Sequence, residues 1–330
     1  MVTQTPHQTT RTVLILGATG RLGRAAVSAF HDAGWQVRAF VRPGRPLDIP
    51  PAVRRIEGDA FDAAAVTAAA RGSQIIVHAL NPPYPAWRTD LPKQTASVLA
   101  AAKASGATVM IPGNVYNYGA AMPAVLREDT PHRPTTRKGA LREDMENAFR
   151  AAAAEGVATV ILRAGDFIEA AQTGNWFDRF IAANVARGVT VYPGPRDRAH
   201  AWAYLPDLAR AMVALAERST PAGGFETFNF EGYTMSGNEL VAALEAASGR
   251  SLKVRGVPWA VMRLIAPFAP MIREVLEMRY LWQVPHALDS TKLRAAIPDF
   301  KPTPLAACLR DVLPATGGQP APAQGAAATA

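Results

Sequence analysis

The chain has 330 residues, 49% of them hydrophobic and 19% charged, with a net charge of +8. That is globular composition with length enough for a real core in one large domain or two modest ones, and the scattered cations favour an anionic small ligand over nucleic acid. A single cysteine, Cys308, excludes a disulfide framework or a cysteine metal site and suits a reducing cytoplasm, and the polar residues 1–10 lack a signal-peptide core.

In chain order, residues 12–16 form a short apolar run that reads as a buried strand and ends on a glycine loop. Residues 21–33 have helical spacing, with Leu22, Ala26, Val27 and Phe30 on one face, and Gly34 stops them. Strands follow at 37–41, 53–57 and 74–80, with an alanine-rich helix at 62–70. A helix at 95–104, a strand at 108–112, a helix at 141–154 and a strand at 157–163 complete the alternation. Continuous apolar strands alternating with helices predict an α/β fold, a Rossmann-type doubly wound parallel sheet. Beyond Arg163 the rhythm breaks. Helices are predicted at 175–187, 206–217, 236–247, 259–268, 272–281, 290–296 and 304–313, with strands at 189–192 and 225–230. The expected organisation is a Rossmann domain at 11–165, with 199–231 returning to it, and a smaller, mostly helical substrate lobe at 166–198 and 232–313. Residues 1–10 and the uncharged, Ala/Gly/Pro-rich 314–330 read as flexible tails. The apolar stretch 257–272 is too short to span a membrane and contains Arg263.

The loop Gly17-Ala18-Thr19-Gly20-Arg21-Leu22-Gly23 follows a strand and opens a helix, the context that gives a G-x-x-G-x-x-G pattern its meaning. Gly17 permits a sharp turn, Gly20 lets a pyrophosphate approach, and Gly23 lets helix and strand pack closely. The free N–H groups and positive dipole end of the helix then face the phosphates. Thr19, Arg21 and Leu22 belong to the same cradle. At the end of the second strand, where an NAD site wants an acid for the ribose 2′-OH, stand Val41 and Arg42. Arg42, with Arg21, points to NADP(H) through charge-assisted bonds to a 2′-phosphate, NAD(H) remaining the alternative. Asp59 either accepts a bond from the adenine amino group or caps the following turn.

Together the loop GATGRLG, EGDAFD at 57–62, HALNPP at 78–83 and AWAYLPDLARAMVAL at 201–215 resemble the extended short-chain dehydrogenase/reductases, the epimerase/dehydratase-like branch, over residues 12–313. The resemblance implies a Ser or Thr after the fifth strand and a Tyr-x-x-x-Lys pair on the next helix. Here Gly113 or Asn114 replaces the serine. With Glu146 as anchor for the register, Lys138 falls at the tyrosine position and Arg142 at the lysine position. Lys138 is the leading candidate for proton transfer, since a lysine in a dry pocket beside Arg142 can act as acid/base; the opposing reading is a helix-start lysine paired with Glu143 or another acid. Tyr116 and Tyr118 are alternatives that share one side if the segment is extended. Asn114 would orient a carbonyl, and Arg142 would take over the ribose contact.

Asn81 lies on the nicotinamide side, and Tyr84, Asp166, Asn175, Trp176 and Trp202 are candidate substrate contacts, with a core role weighed against each aromatic. The six histidines show no ligand spacing, so no metal is expected. The function expected is an NADP(H)-dependent oxidoreductase acting on a carbonyl, alcohol or activated alkene of a small, moderately apolar substrate. The alternatives are a nucleotide-sugar-type epimerase or dehydratase and a non-catalytic NADP(H) sensor. No nucleic-acid or membrane partner is expected, and a homodimer is left open.

Overall fold

In a computed structural model, residues 11–46, 48–171, 173–218 and 224–313 are described; the tails expected at 1–10 and 314–330 lie outside them. The first half alternates as β1 (Thr12–Leu16), α1 (Arg21–Asp32), β2 (Gln36–Val41), β3 (Arg54–Glu57), α2 (Ala63–Ala70), β4 (Ile75–His78), α3 (Trp87–Ser105) and β5 (Thr108–Gly113). A two-residue strand β6 (Val125–Leu126), then α4 (Arg137–Ala152) and β7 (Thr159–Arg163) follow. The second half holds β8 (Asp166–Ile168), β9 (Val189–Tyr192), β10 (Ala199–Tyr204), α5 (Leu205–Ala216), β11 (Phe225–Asn229), β12 (Tyr233–Ser236), α6 (Gly237–Ser248) and β13 (Lys253–Gly256). It closes with α7 (Trp259–Ile265), α8 (Pro270–Glu277), β14 (Ala287–Leu288), α9 (Thr291–Ala296) and α10 (Leu305–Val312).

Seven strands form one parallel sheet in the order β11-β7-β5-β4-β1-β2-β3. All five residues of β1 and all four of β4 are buried, which is why these strands read as unbroken apolar runs. Helices cover both faces. On one side α1 and α5 pack over Val13, Ile15, Val37 and Val77; on the other α2, α3 and α4 bury Leu14, Leu16, Val98 and Phe149. The order turns back between β1 and β4, the switch point at which such sheets open a crevice for a ligand.

The remaining small sheets, β12-β10-β8, β13-β9 and β14-β6, build a lobe over the carboxyl ends of β4, β5 and β7. Its core gathers Phe177, Ile181, Trp202, Leu240, Leu244 and Trp282. The lobe is less helical than expected. The predicted helix 175–187 is a wide π-type turn at Phe177–Ile181 and a single 3-10 turn at Val185–Arg187. The predicted helix 95–104 begins two turns earlier, at Trp87, despite Pro92 inside it. Among the described residues no helix is long and apolar enough to cross a membrane.

Candidate active site

The glycine loop has the geometry its spacing demands. Gly17 has φ +79°, and a Cβ there would stand 2.6 Å from the Ala79 carbonyl oxygen at the end of β4. A Cβ on Gly23 would stand 2.0 Å from the Gly17 carbonyl oxygen, so only glycine lets α1 start this close to the loop. Gly20 caps α1 without any side-chain hydrogen bond, and the first turn holds no acid. The helix therefore offers its free N–H groups to a ligand, and a dinucleotide pyrophosphate fits this cradle of Thr19, Gly20, Arg21, Leu22 and Gly23.

The adenosine side follows from the end of β2. Val41 is buried, Arg42 is exposed, and the Gly58 N–H donates to the Val41 carbonyl at 3.0 Å. Asp59 accepts from the Phe61 N–H at 3.0 Å, the turn-capping role weighed for it, while Asp62 caps α2. Arg21 is turned elsewhere. Its Nε donates to Thr173 Oγ1 at 2.6 Å and lies 3.6 Å from Glu169 Oε1, so it bridges the loop to the lobe rather than joining Arg42. This corrects the expectation that both guanidiniums face one phosphate.

Tyr116 follows β5, and Tyr84 follows β4; their hydroxyls are 3.0 Å apart. Both line a narrow cleft, with about 20 Å³ of free space, together with Asp166, Trp176, Val275, Met278, Leu281 and Trp282. Burial first, and then Tyr84 and the Asp166 charge, push the Tyr116 hydroxyl well above its ordinary range. Tyr84 is also raised, chiefly by burial. Both phenols therefore hold their protons at neutral pH. Asp166 Oδ2 is 2.8 Å from His200 Nε2, and the His200 ring stacks on Trp282 with centroids 4.3 Å apart and planes within 5°.

Lys138 lies at the start of α4, only 1% exposed. Its ammonium is held by Glu274 and by Glu277 Oε2, the latter at 2.7 Å, and its backbone N–H donates to Glu277 Oε1. The acidic partner expected for it, Glu143, is replaced by two carboxylates of α8. Lys138 thus ties α8, whose next residues line the pocket, to the Rossmann half. Arg142 donates to Asn81 Oδ1 at 2.9 Å and lies over the Trp87 ring, 4.4 Å from its centroid. Burial lowers its pKa, and no carboxylate bonds to it.

Some candidates fall outside the pocket. Tyr116 and Tyr118 do not share a side, because Tyr116–Tyr118 coil into a 3-10 turn instead of an extended strand. Tyr118 is 2% exposed and packs under the Arg163 guanidinium. Asn114 spends its side chain on the Tyr116 N–H, 3.0 Å away, and so fixes the tyrosine's turn. Asn175 bonds Glu169 and the Asp178 N–H, a local brace of the lobe. Trp202 is fully buried behind His200 and exposes no surface to a substrate, which corrects its reading as a substrate contact.

Sequence reading missed three groups. One is Arg163, bound in bidentate fashion to Glu146 at 3.0 and 2.8 Å and donating to the Asn114 carbonyl, which pins the ends of β5 and β7 to α4. The others are the His200–Trp282 stack and the Glu274/Glu277 clamp. Their partners are more than thirty residues distant in sequence, so no local spacing signals them. Among the described residues no cluster of three or more His, Cys, Asp or Glu is placed to hold a metal ion.

Comparison with known proteins agrees with this geometry. The chain is 28% identical over 221 residues, 62% of its length and 72% of the relative's, to a 3-diazoavenalumate denitrifying reductase of Streptomyces sp.. A Burkholderia cenocepacia protein named as an epimerase superposes with a TM-score of 0.73 at 24% identity, covering 92% of this chain and 96% of that one. The MoeE5 protein bound to UDP-glucuronic acid and NAD gives 0.71 at 21% identity, covering 91% and 96%. The fold is therefore the epimerase-like extended Rossmann fold. A family model for NAD(P)H-binding proteins matches residues 17–187, just over half of the sequence, and the chain belongs to that family.

Proposed function

We propose that the chain is an NADP(H)-dependent reductase of a small, planar, mostly apolar electrophile, with an active site that works without a Tyr-x-x-x-Lys pair. The observation that carries this reading is the aromatic cleft at the carboxyl ends of β4, β5 and β7, on the same edge of the sheet as the glycine cradle. A cleft walled by the rings of Tyr84, Tyr116, Trp176 and Trp282 presents aromatic faces that suit a flat, mostly apolar group better than a polyhydroxylated nucleotide sugar. The reductase named among its relatives supports the same class.

When bound, the nicotinamide supplies the hydride. The chain's own residues bind, orient and exclude water. Tyr84 and Tyr116, both kept protonated by burial, share one hydrogen bond between them, so one of the two phenol protons is left to donate to a ligand. Arg142 and Asn81 stand where a ribose would be held. Lys138 holds α8 closed over the site. The preference for NADP(H) rests on Arg42 alone, since Val41 is apolar and Arg21 is committed to the lobe.

Two measurements test the reading. Calorimetric titration should give NADPH at least about tenfold tighter binding than NADH, and Arg42→Ala should erase the difference. Equal affinities in the wild type overturn the cofactor assignment. Incubation with a panel of carbonyls, enones and imines should consume NADPH with a net loss of nicotinamide absorbance. An isomerised product with the cofactor returned unchanged would replace the reductase by an isomerase.

A further inference from the structure

The pocket contains one carboxylate and four aromatic walls. Among the described residues Asp166 is the one acid in its lining, with its side chain 28% exposed. One of its oxygens, Oδ2, is engaged by His200. The other is left for whatever enters. Three nearby cations are committed outside the lining: Lys138 to Glu274 and Glu277, Arg21 to Glu169 and Thr173, Arg142 to Asn81 and the face of Trp87. A cavity with this make-up, electron-rich ring faces around a fixed anion, attracts a cation and repels a carboxylate or a phosphate.

We propose that the pocket recognises a planar organic nitrogen cation, an iminium ion, with Asp166 as its counter-ion and the rings of Tyr84, Tyr116, Trp176 and Trp282 as its walls. The proposal rests on the reductase reading and names its substrate class. It also accounts for the missing proton donor. A carbonyl must be protonated as it is reduced, and the two pocket tyrosines hold their protons too firmly to do this well. An iminium ion needs no acid. Hydride from the reduced nicotinamide adds to the iminium carbon, the C=N π pair moves onto nitrogen, the cofactor is oxidised, and a neutral amine results with no proton taken up at the site. Asp166 stabilises the cation as it binds, and His200, stacked on Trp282, holds the carboxylate in place.

The test uses the full chain loaded with NADP+, so that no turnover occurs, and reads binding by quenching of tryptophan fluorescence. The probes are N-methyl-dihydroisoquinolinium, which is permanently charged, and its neutral ketone isostere, tetralone. The wild type should bind the cation at least tenfold more tightly. Asp166→Asn, which keeps the hydrogen bond to His200, should abolish that preference while leaving NADPH affinity unchanged, the check that the variant is folded. Equal or tighter binding of tetralone by the wild type, or an unchanged preference in Asp166→Asn, overturns the proposal. A parallel assay with NADPH separates the two readings. Preferential binding of the cation without NADPH oxidation keeps the cation site and removes the reductase. Reduction of tetralone but not of the iminium keeps the reductase and removes the cation site.

Discussion

Lys138 occupies the position at which the family register places the proton-transferring tyrosine, yet two carboxylates of α8 claim its ammonium. A lysine engaged in this way acts as a strut. Lys138→Met preserves its volume and removes the buried cation from Glu274 and Glu277, leaving exposed Arg137 as their remaining partner. Removing one member of a buried ion pair costs roughly 3–5 kcal/mol, and with Arg137 still in place the drop in the free energy of denaturant unfolding should lie at the low end of that range. Because α8 leads into Val275, Met278 and Leu281 of the pocket, KM should rise as the lid loosens. The kcat at saturation should stay within about tenfold, whereas loss of a general acid or base lowers kcat by roughly a hundredfold or more. A collapse of kcat at unchanged KM would make Lys138 catalytic. The sequence shows the lysine at this register and shows no more than that. Its partners lie 136 and 139 residues away, and only the folded lobe brings them to it. Asp166 is the converse case: its place just past β7, at the start of β8, is legible from the run of apolar residues before it, but His200 and Trp282, which define its environment, are not.

The strand–loop–helix unit β1–α1 was readable almost to the residue because each of its signals is local. The apolar run, the glycine spacing and the Leu22/Ala26/Val27/Phe30 stripe all lie within about twenty residues, and each has its own physical cause. The wide turn at Phe177–Ile181 was not readable. Phe177, Ile181 and Val185 are spaced like a helical stripe and do bury together. Asn175 and Asp178 bond the first backbone N–H groups as a helix cap would, but the Thr190 hydroxyl donates to the Ile181 carbonyl, which a continuing helix would pair with the Val185 N–H. The cradle also makes a prediction of its own. Gly23→Ala would force a methyl group into the Gly17 carbonyl, so the loop and α1 must separate. NADPH affinity should fall by at least tenfold, measured by titration, while the sheet strands remote from the loop keep their far-UV signal. Unchanged affinity would mean that the phosphates do not rest on this loop.

At the scale of the molecule, acid stability should be set by histidines before carboxylates. His78, at the end of β4, is 2% exposed, and neither ring nitrogen has a partner. Burial, with a further push from the Arg142 charge, lowers its pKa from 6.5 to about 3. Burial and the charge of His200 lower that of His286 to about 4. Both rings are therefore neutral in the fold over a range in which the unfolded chain binds protons. Above an ordinary histidine pKa neither state is charged and the two residues contribute no slope. As pH falls below 6.5 the unfolded state takes up protons that the folded state refuses, so stability declines until the folded pKa values are reached. The carboxylates Glu146 and Glu277, lowered by Arg163 and by Lys138 against the opposing effect of burial, add their own loss only below the usual glutamate range. Unfolding free energy should therefore begin to fall well before the carboxylates titrate. At pH about 4.5 the loss should be on the order of 2–3 kcal/mol for each buried histidine, since one pKa unit corresponds to about 1.4 kcal/mol. His78→Leu removes an unpartnered imidazole from an apolar setting. It should leave stability at pH about 7 unchanged or slightly raised and make the acid-side slope shallower by one histidine's share. A denaturant series between pH of about 7 and 4.5 reads both. A flat wild-type profile across that interval would mean that these imidazoles accept protons within the fold, through an opening of the lobe around β4 and β10.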